Sequence, residues 1–126
     1  MVEDVPELLD LYMKILEKRY KVSGTIEPTH ALEHLKGKKY DMIISGVLMP
    51  EYSGFDLITH LKSSDEYQFD KFLFLTNVSS EKAITEAQKL SADGYLIKTE
   101  ISDEDLLLKV EEVFEGKSGF VRHSRV

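Results

Sequence analysis

An α/β fold, a parallel sheet with helices on both faces, is what this chain predicts, on three observations. Helix-spaced apolar positions alternate with short apolar runs from one end to the other. The runs at 41–45, 71–76 and 94–98 have continuous apolar centres, as strands covered on both faces require. Gly37, Gly46 and Gly116 separate the segments at places where one period gives way to the next.

The elements follow in order. Leu8, Leu9, Leu11, Tyr12, Ile15 and Leu16 predict a first helix over 6–18, with Pro6 suited to its opening turn. Residues 20–25 are a short strand candidate. Ala31, Leu32 and Leu35 share one face of a second helix over 28–35, stopped by Gly37. The strand 41–45 comes next, then a loop carrying Met49-Pro50 and Ser53-Gly54. Phe55, Leu57, Ile58 and Leu61 mark a third helix. The strand 71–76 precedes a fourth helix over 80–90, capped by Ser79 or Ser80 with Glu81 in its first turn. After the strand 94–98, Ser102-Asp103-Glu104-Asp105 starts a fifth helix to about residue 115, its acids at the positive end of the dipole. The domain is expected to span 1–116, and 117–126 to be a polar, basic, frayed tail.

Composition narrows the function. The 126 residues are 42% hydrophobic and 31% charged, the balance of a single globular domain. A net charge of −7 argues against a nucleic-acid partner, which needs a basic face. Without cysteine there is no disulfide, thiolate metal site or cysteine nucleophile. No apolar run approaches the roughly 20 residues of a membrane span, and no signal peptide opens the chain, so the expected location is the cytoplasm, with no membrane partner. His30 and His34 lie at i, i+4 but offer only two zinc ligands. The Gly-Lys-Ser at 116–118 lacks the upstream glycine and preceding strand of a phosphate loop.

Functional residues of doubly wound sheets gather where strands end at their carboxyl edge. Glu3-Asp4, Gly46, Thr76 and Lys98 all fall at such ends. Taken singly, Glu3-Asp4 is a solvated turn, Thr76 a strand-end residue, Tyr95 a core aromatic and Lys98 a surface charge. In this order, with Met49-Pro50 and Gly54 after the strand 41–45, they resemble a response regulator receiver domain, the CheY-like module of two-component signalling. The resemblance covers about 2–114.

It implies a flavodoxin-like, five-stranded parallel sheet of order 2-1-3-4-5, helices 1 and 5 on one face and 2, 3 and 4 on the other. By it, Glu3 and Asp4 match the acidic pair that holds magnesium, Thr76 the hydroxyl that bonds the phosphoryl group, Lys98 the lysine that pairs with it, and Tyr95 the aromatic whose rotamer reports phosphorylation. The first strand is truncated, since only Met1-Val2 precede Glu3; a stub or residues upstream of Met1 would have to complete it.

The departure that matters most is Gly46, which stands where the family has its phosphoacceptor aspartate. Phosphoryl transfer needs an anionic oxygen nucleophile, with a cation and a lysine to offset the gathering charge. Glycine supplies none, so position 46 is expected to be degenerate, and magnesium binding at Glu3 and Asp4 weak. Thr99 follows Lys98 where the family usually has a cis proline, so a trans bond is expected. Asn77 replaces a smaller residue and narrows phosphate access; Ser91 takes a helix-end position usually held by glycine.

The expected function is therefore that of a non-enzymatic receiver acting through protein contacts. A histidine kinase or output protein is the expected partner, with a homodimer through the 80–114 face. One alternative keeps phosphorylation, through Ser45 or Glu51 or with Gly46 an introduced change. Another is a flavodoxin-like cofactor binder, disfavoured by the acidic 3–6 loop, which would repel a phosphate.

Overall fold

The computed structural model describes residues 1–120. Its sheet is parallel throughout, in the order β1 (Lys39–Ser45), β2 (Gln68–Thr76), β3 (Gly94–Ile97) and β4 (Gly119–Phe120). Beside β1, Val2 forms parallel bridges to both Ser45 and Thr25. The Val2 N–H donates to the Ile44 carbonyl at 2.8 Å and the Gly46 N–H to the Val2 carbonyl at 3.1 Å. On the other side the Thr25 N–H donates to Met1 at 2.9 Å and the Glu3 N–H to Thr25 at 3.1 Å. Thr25, residues 1–3, β1, β2 and β3 thus reproduce the expected 2-1-3-4-5 order, with the first strand reduced to a stub.

Two sequence expectations need correction. The candidate strand 20–25 pairs only at Thr25, because its neighbour in the sheet is the short stub. Residues 119–120, expected within a frayed tail, instead form β4 against β3; the rest of that tail, 121–126, lies outside the described residues.

Side chains alternate across each strand and divide the core in two. Ile43, Phe72, Phe74, Tyr95 and Ile97 face α2 (Pro28–Leu35), α3 (Gly54–Lys62) and α4 (Glu81–Lys89). Ile44, Leu73, Leu75 and Leu96 face α1 (Pro6–Leu16) and α5 (Asp103–Phe114). This is the predicted two-and-three split of helices. Caps fix the helix starts: Ser53 with Asp56 and Ser102 with Asp105 form reciprocal capping boxes, and the Ser80 hydroxyl accepts from the Ala83 N–H at 3.2 Å. Pro6 and Pro28 open α1 and α2. Ser91, beyond α4, has φ 59°, the left-handed conformation that explains why glycine would be favoured there.

Candidate functional site

The ladder places the site. Val2 pairs with Ser45, and Thr76 with Ile97, so the residues just past them crowd one rim. Glu3 follows the stub, Gly46 follows β1, Thr76 ends β2, and Lys98 opens the single 3-10 turn after β3. The structure brings Glu3 and Lys98 together: the Lys98 ammonium donates to Glu3 Oε1 in a side-chain ion pair only 11% and 2% exposed. The second Glu3 oxygen accepts from the Val5 N–H at 3.1 Å. Tyr12 of α1 adds its ring face, 5.9 Å from Lys98 Nζ. The lysine charge is therefore neutralised inside the protein.

Asp4 is half-buried and stands outside that pair. Among the described residues no three His, Cys, Asp or Glu side chains converge to hold a metal ion. Of the two acids expected to hold magnesium, Glu3 is committed to Lys98, and the position expected for a third oxygen donor holds Gly46. The residues present do not fit a magnesium shell.

Gly46 is buried, and its φ is not in the left-handed region. A Cβ built there would lie 3.8 Å from the Leu75 carbonyl oxygen and 3.8 and 3.9 Å from Cγ and Sδ of Met49, ordinary contacts. The backbone does not require a glycine at this position. Gly54 is the opposite case: its Cβ would stand 2.0 Å from the Gly46 oxygen, and its N–H donates to the Val47 carbonyl at 2.7 Å. Glycine at 54 lets the loop close over the end of β1.

The alternative nucleophiles differ in exposure. Ser45 is fully buried and its hydroxyl donates to the Gly46 carbonyl at 2.9 Å. Glu51 is exposed on a φ of 65°.

Thr76 is buried, and its Oγ1 accepts from the Val78 N–H at 3.2 Å. Tyr95 is fully buried and its hydroxyl donates to the Val78 carbonyl at 2.6 Å. Both side chains thus grip the same residue of the β2–α4 loop. Sequence reasoning found Thr76 and Tyr95 but missed Val78, because a backbone carbonyl carries no side-chain signature. It also missed Tyr12, which helical spacing marks only as core. All peptide bonds among the described residues are trans, Lys98–Thr99 included.

Burial pushes the Tyr95 hydroxyl up to about 12 from its usual 10. The folded protein then holds this proton between pH 10 and 12 while the unfolded chain releases it. Stability should fall across that window as pH rises. Tyr95→Phe should remove this share of the alkaline loss and cost about 1 kcal/mol at neutral pH through the lost hydrogen bond. Urea melts of both proteins at pH 7 and pH 11 measure it; an unchanged alkaline slope would place the Tyr95 hydroxyl in solvent.

Known proteins resemble this chain in sequence and in fold. Response regulator SaeR of Staphylococcus epidermidis is 30% identical over 120 residues, covering 94% of this chain and 50% of that protein. The phosphoglycerate transport system transcriptional regulatory protein PgtA of Salmonella typhimurium is 27% identical over 122 residues, covering 96% and 29%. The chain thus spans half the length of these curated relatives or less. Among solved structures, chemotaxis protein CheY4 of Vibrio cholerae superposes with TM-score 0.80 at 27% identity, over 89% of this chain and 93% of that one. The CheY-like receiver domain protein of Methanospirillum hungatei gives 0.79 at 22%, over 91% and 90%. The model of the response regulator receiver domain matches residues 1–111. With that match over a parallel sheet of the expected order, the chain belongs to the response regulator receiver domain family of two-component signal transduction.

Proposed function

We propose that this receiver signals by protein–protein contact without phosphorylation at position 46. What carries this reading is Gly46 just past the end of β1, on the rim where Glu3 already satisfies the charge of Lys98. A carboxylate at that position would be the nucleophile and would compete for the lysine. Here the rim is neutralised without a phosphoryl group, and no phosphate is available to shift Thr76 and Tyr95. Their shared grip on Val78 fixes one arrangement by packing.

The contact surface in this reading is the face of α4, β3 and α5, about 80–90, 95–98 and 102–114; because β3 is buried and its edge is covered by β4, the helices α4 and α5 supply the exposed side chains. Leu108 of α5 is 52% exposed, an apolar group that a partner would cover. The partner is a histidine kinase or output protein, or a second copy of the chain, in the cytoplasm. Among the described residues no helix is long and apolar enough to cross a membrane. Lys89→Glu or Lys109→Glu should weaken self-association or partner capture about tenfold, with the fold kept; Tyr95→Ala would instead open a cavity in the core, since Tyr95 is fully buried. Unchanged binding in both lysine variants, with loss on substituting the α1 surface, would move the interface to α1.

A second reading has an observation of its own. Because a Cβ at 46 meets only ordinary contacts, the backbone there accepts a residue other than glycine, and an aspartate is the substitution to try. Gly46→Asp should then accept a phosphoryl group from acetyl phosphate, its carboxylate oxygen attacking phosphorus as acetate leaves. A variant that folds and stays unmodified would show that the rim has lost more than its nucleophile.

A further inference from the structure

Strand β4 lies past the end of the family match at residue 111 and past α5 itself. The chain reverses at Gly116, φ 86°, where the Gly116 N–H donates to Val113 at 3.0 Å and the Lys117 N–H to Glu112 at 2.9 Å. It then lays Gly119 opposite Gly94 and Phe120 opposite Tyr95. The pairing is built for close approach. A Cβ on Gly94 would stand 2.7 Å from the Gly119 Cα, and one on Gly119 would stand 2.6 Å from Val113 Cγ2. Asp93 ties the strand in: its carbonyl accepts from the Gly119 N–H at 3.0 Å, and its carboxylate accepts from the Phe72 N–H of β2 at 2.7 Å.

Phe120 is half-buried and packs on the apolar cluster that contains Tyr95. Paired residues of parallel strands project to the same face, so Phe120 flanks the tyrosine whose hydroxyl holds Val78. Without β4, β3 would lose its neighbour on that side and become the edge of the sheet.

We propose that residues 117–120 form a strap that keeps Tyr95 inward, so that a protein partner drawing this segment off the sheet releases the tyrosine. This puts control of the tyrosine at the end of the domain, where a phosphoryl group is not needed. The proposal rests on Tyr95 being the position that partners sense. Its test reads Tyr95 directly, so failed coupling is distinguishable from failed partner binding.

The test uses the full chain labelled with 3-fluorotyrosine, the Tyr95 fluorine signal being assigned by its absence in Tyr95→Phe. Gly119→Val drives a side chain into Val113 and unseats the strap; Phe120→Ala trims only its packing. The proposal predicts that both keep native helix content. In both, the Tyr95 signal should move toward that of a solvated tyrosine, and the β3 amides should exchange at least about tenfold faster. A folded Gly119→Val protein with the Tyr95 signal and β3 exchange unchanged overturns it. If that variant does not fold, Phe120→Ala decides on the same readouts. Unfolding of both would make β4 a folding element with no release function, and also overturns the proposal.

Discussion

Glu3→Gln is expected to destabilise the domain by about 3–5 kcal/mol, because it strands the Lys98 ammonium without its counter-charge in a buried site. Glu3 is 1% exposed, and its carboxylate is the acceptor for both Lys98 and the Val5 N–H. Lys98→Met should cost a comparable amount by leaving the carboxylate uncompensated. The double variant should recover most of the loss, since a buried pair exchanged for neutral groups of similar volume is often close to neutral. The exposed Lys39–Asp70 pair, with side chains 63% and 55% exposed, is the contrast: its removal should change stability by less than about 1 kcal/mol. Urea denaturation of the four variants measures the cycle. A Glu3→Gln cost no larger than the surface pair's would mean that the ion pair is solvated and does not neutralise the rim.

Gly54→Ala should cost about 3 kcal/mol or more, the scale of a severe clash in a packed core. Its Cβ would sit 2.0 Å from the Gly46 carbonyl oxygen and 2.9 Å from Cε1 of Phe74. The first of these is backbone, held in place by the Gly46 N–H bond to Val2 and the Gly54 N–H bond to Val47. Gly46→Ala, at the other end of the loop that leads into α3, should stay within about 1 kcal/mol of the parent. Thermal melts of the pair give the comparison. Equal, large losses would show that glycine at 46 is a packing requirement, against the open contacts found there.

How much of this the sequence carries depends on what kind of signal each part leaves. The strands β1, β2 and β3 were legible because their inner residues are apolar on both faces, as in Phe72 to Leu75. Their outer ends were not: Lys39-Tyr40 pairs with Gln68-Phe69, and polar residues at a sheet end look like loop. Strand β4 was missed for a related reason, since Lys117 and Ser118 give no apolar run. Its available cue was Gly119 with Phe120 after it, meaningful only once Gly94 is known to lie opposite. At the rim, the order of Glu3, Gly46, Thr76 and Lys98 placed the residues. What it could not give is who bonds to whom. Glu3 rather than Asp4 takes the lysine, and a loop carbonyl at Val78 takes the tyrosine.

In the proposed function, Gly46 leaves this receiver without a phosphoacceptor. Intact-mass measurement after incubation with acetyl phosphate tests it most directly, with Gly46→Asp treated in parallel and hydroxylamine added afterwards. The unaltered chain should gain no phosphoryl mass. A phosphoryl group on the unaltered chain, lost in hydroxylamine as an acyl phosphate is, would contradict it and assign the phosphoacceptor role to another carboxylate.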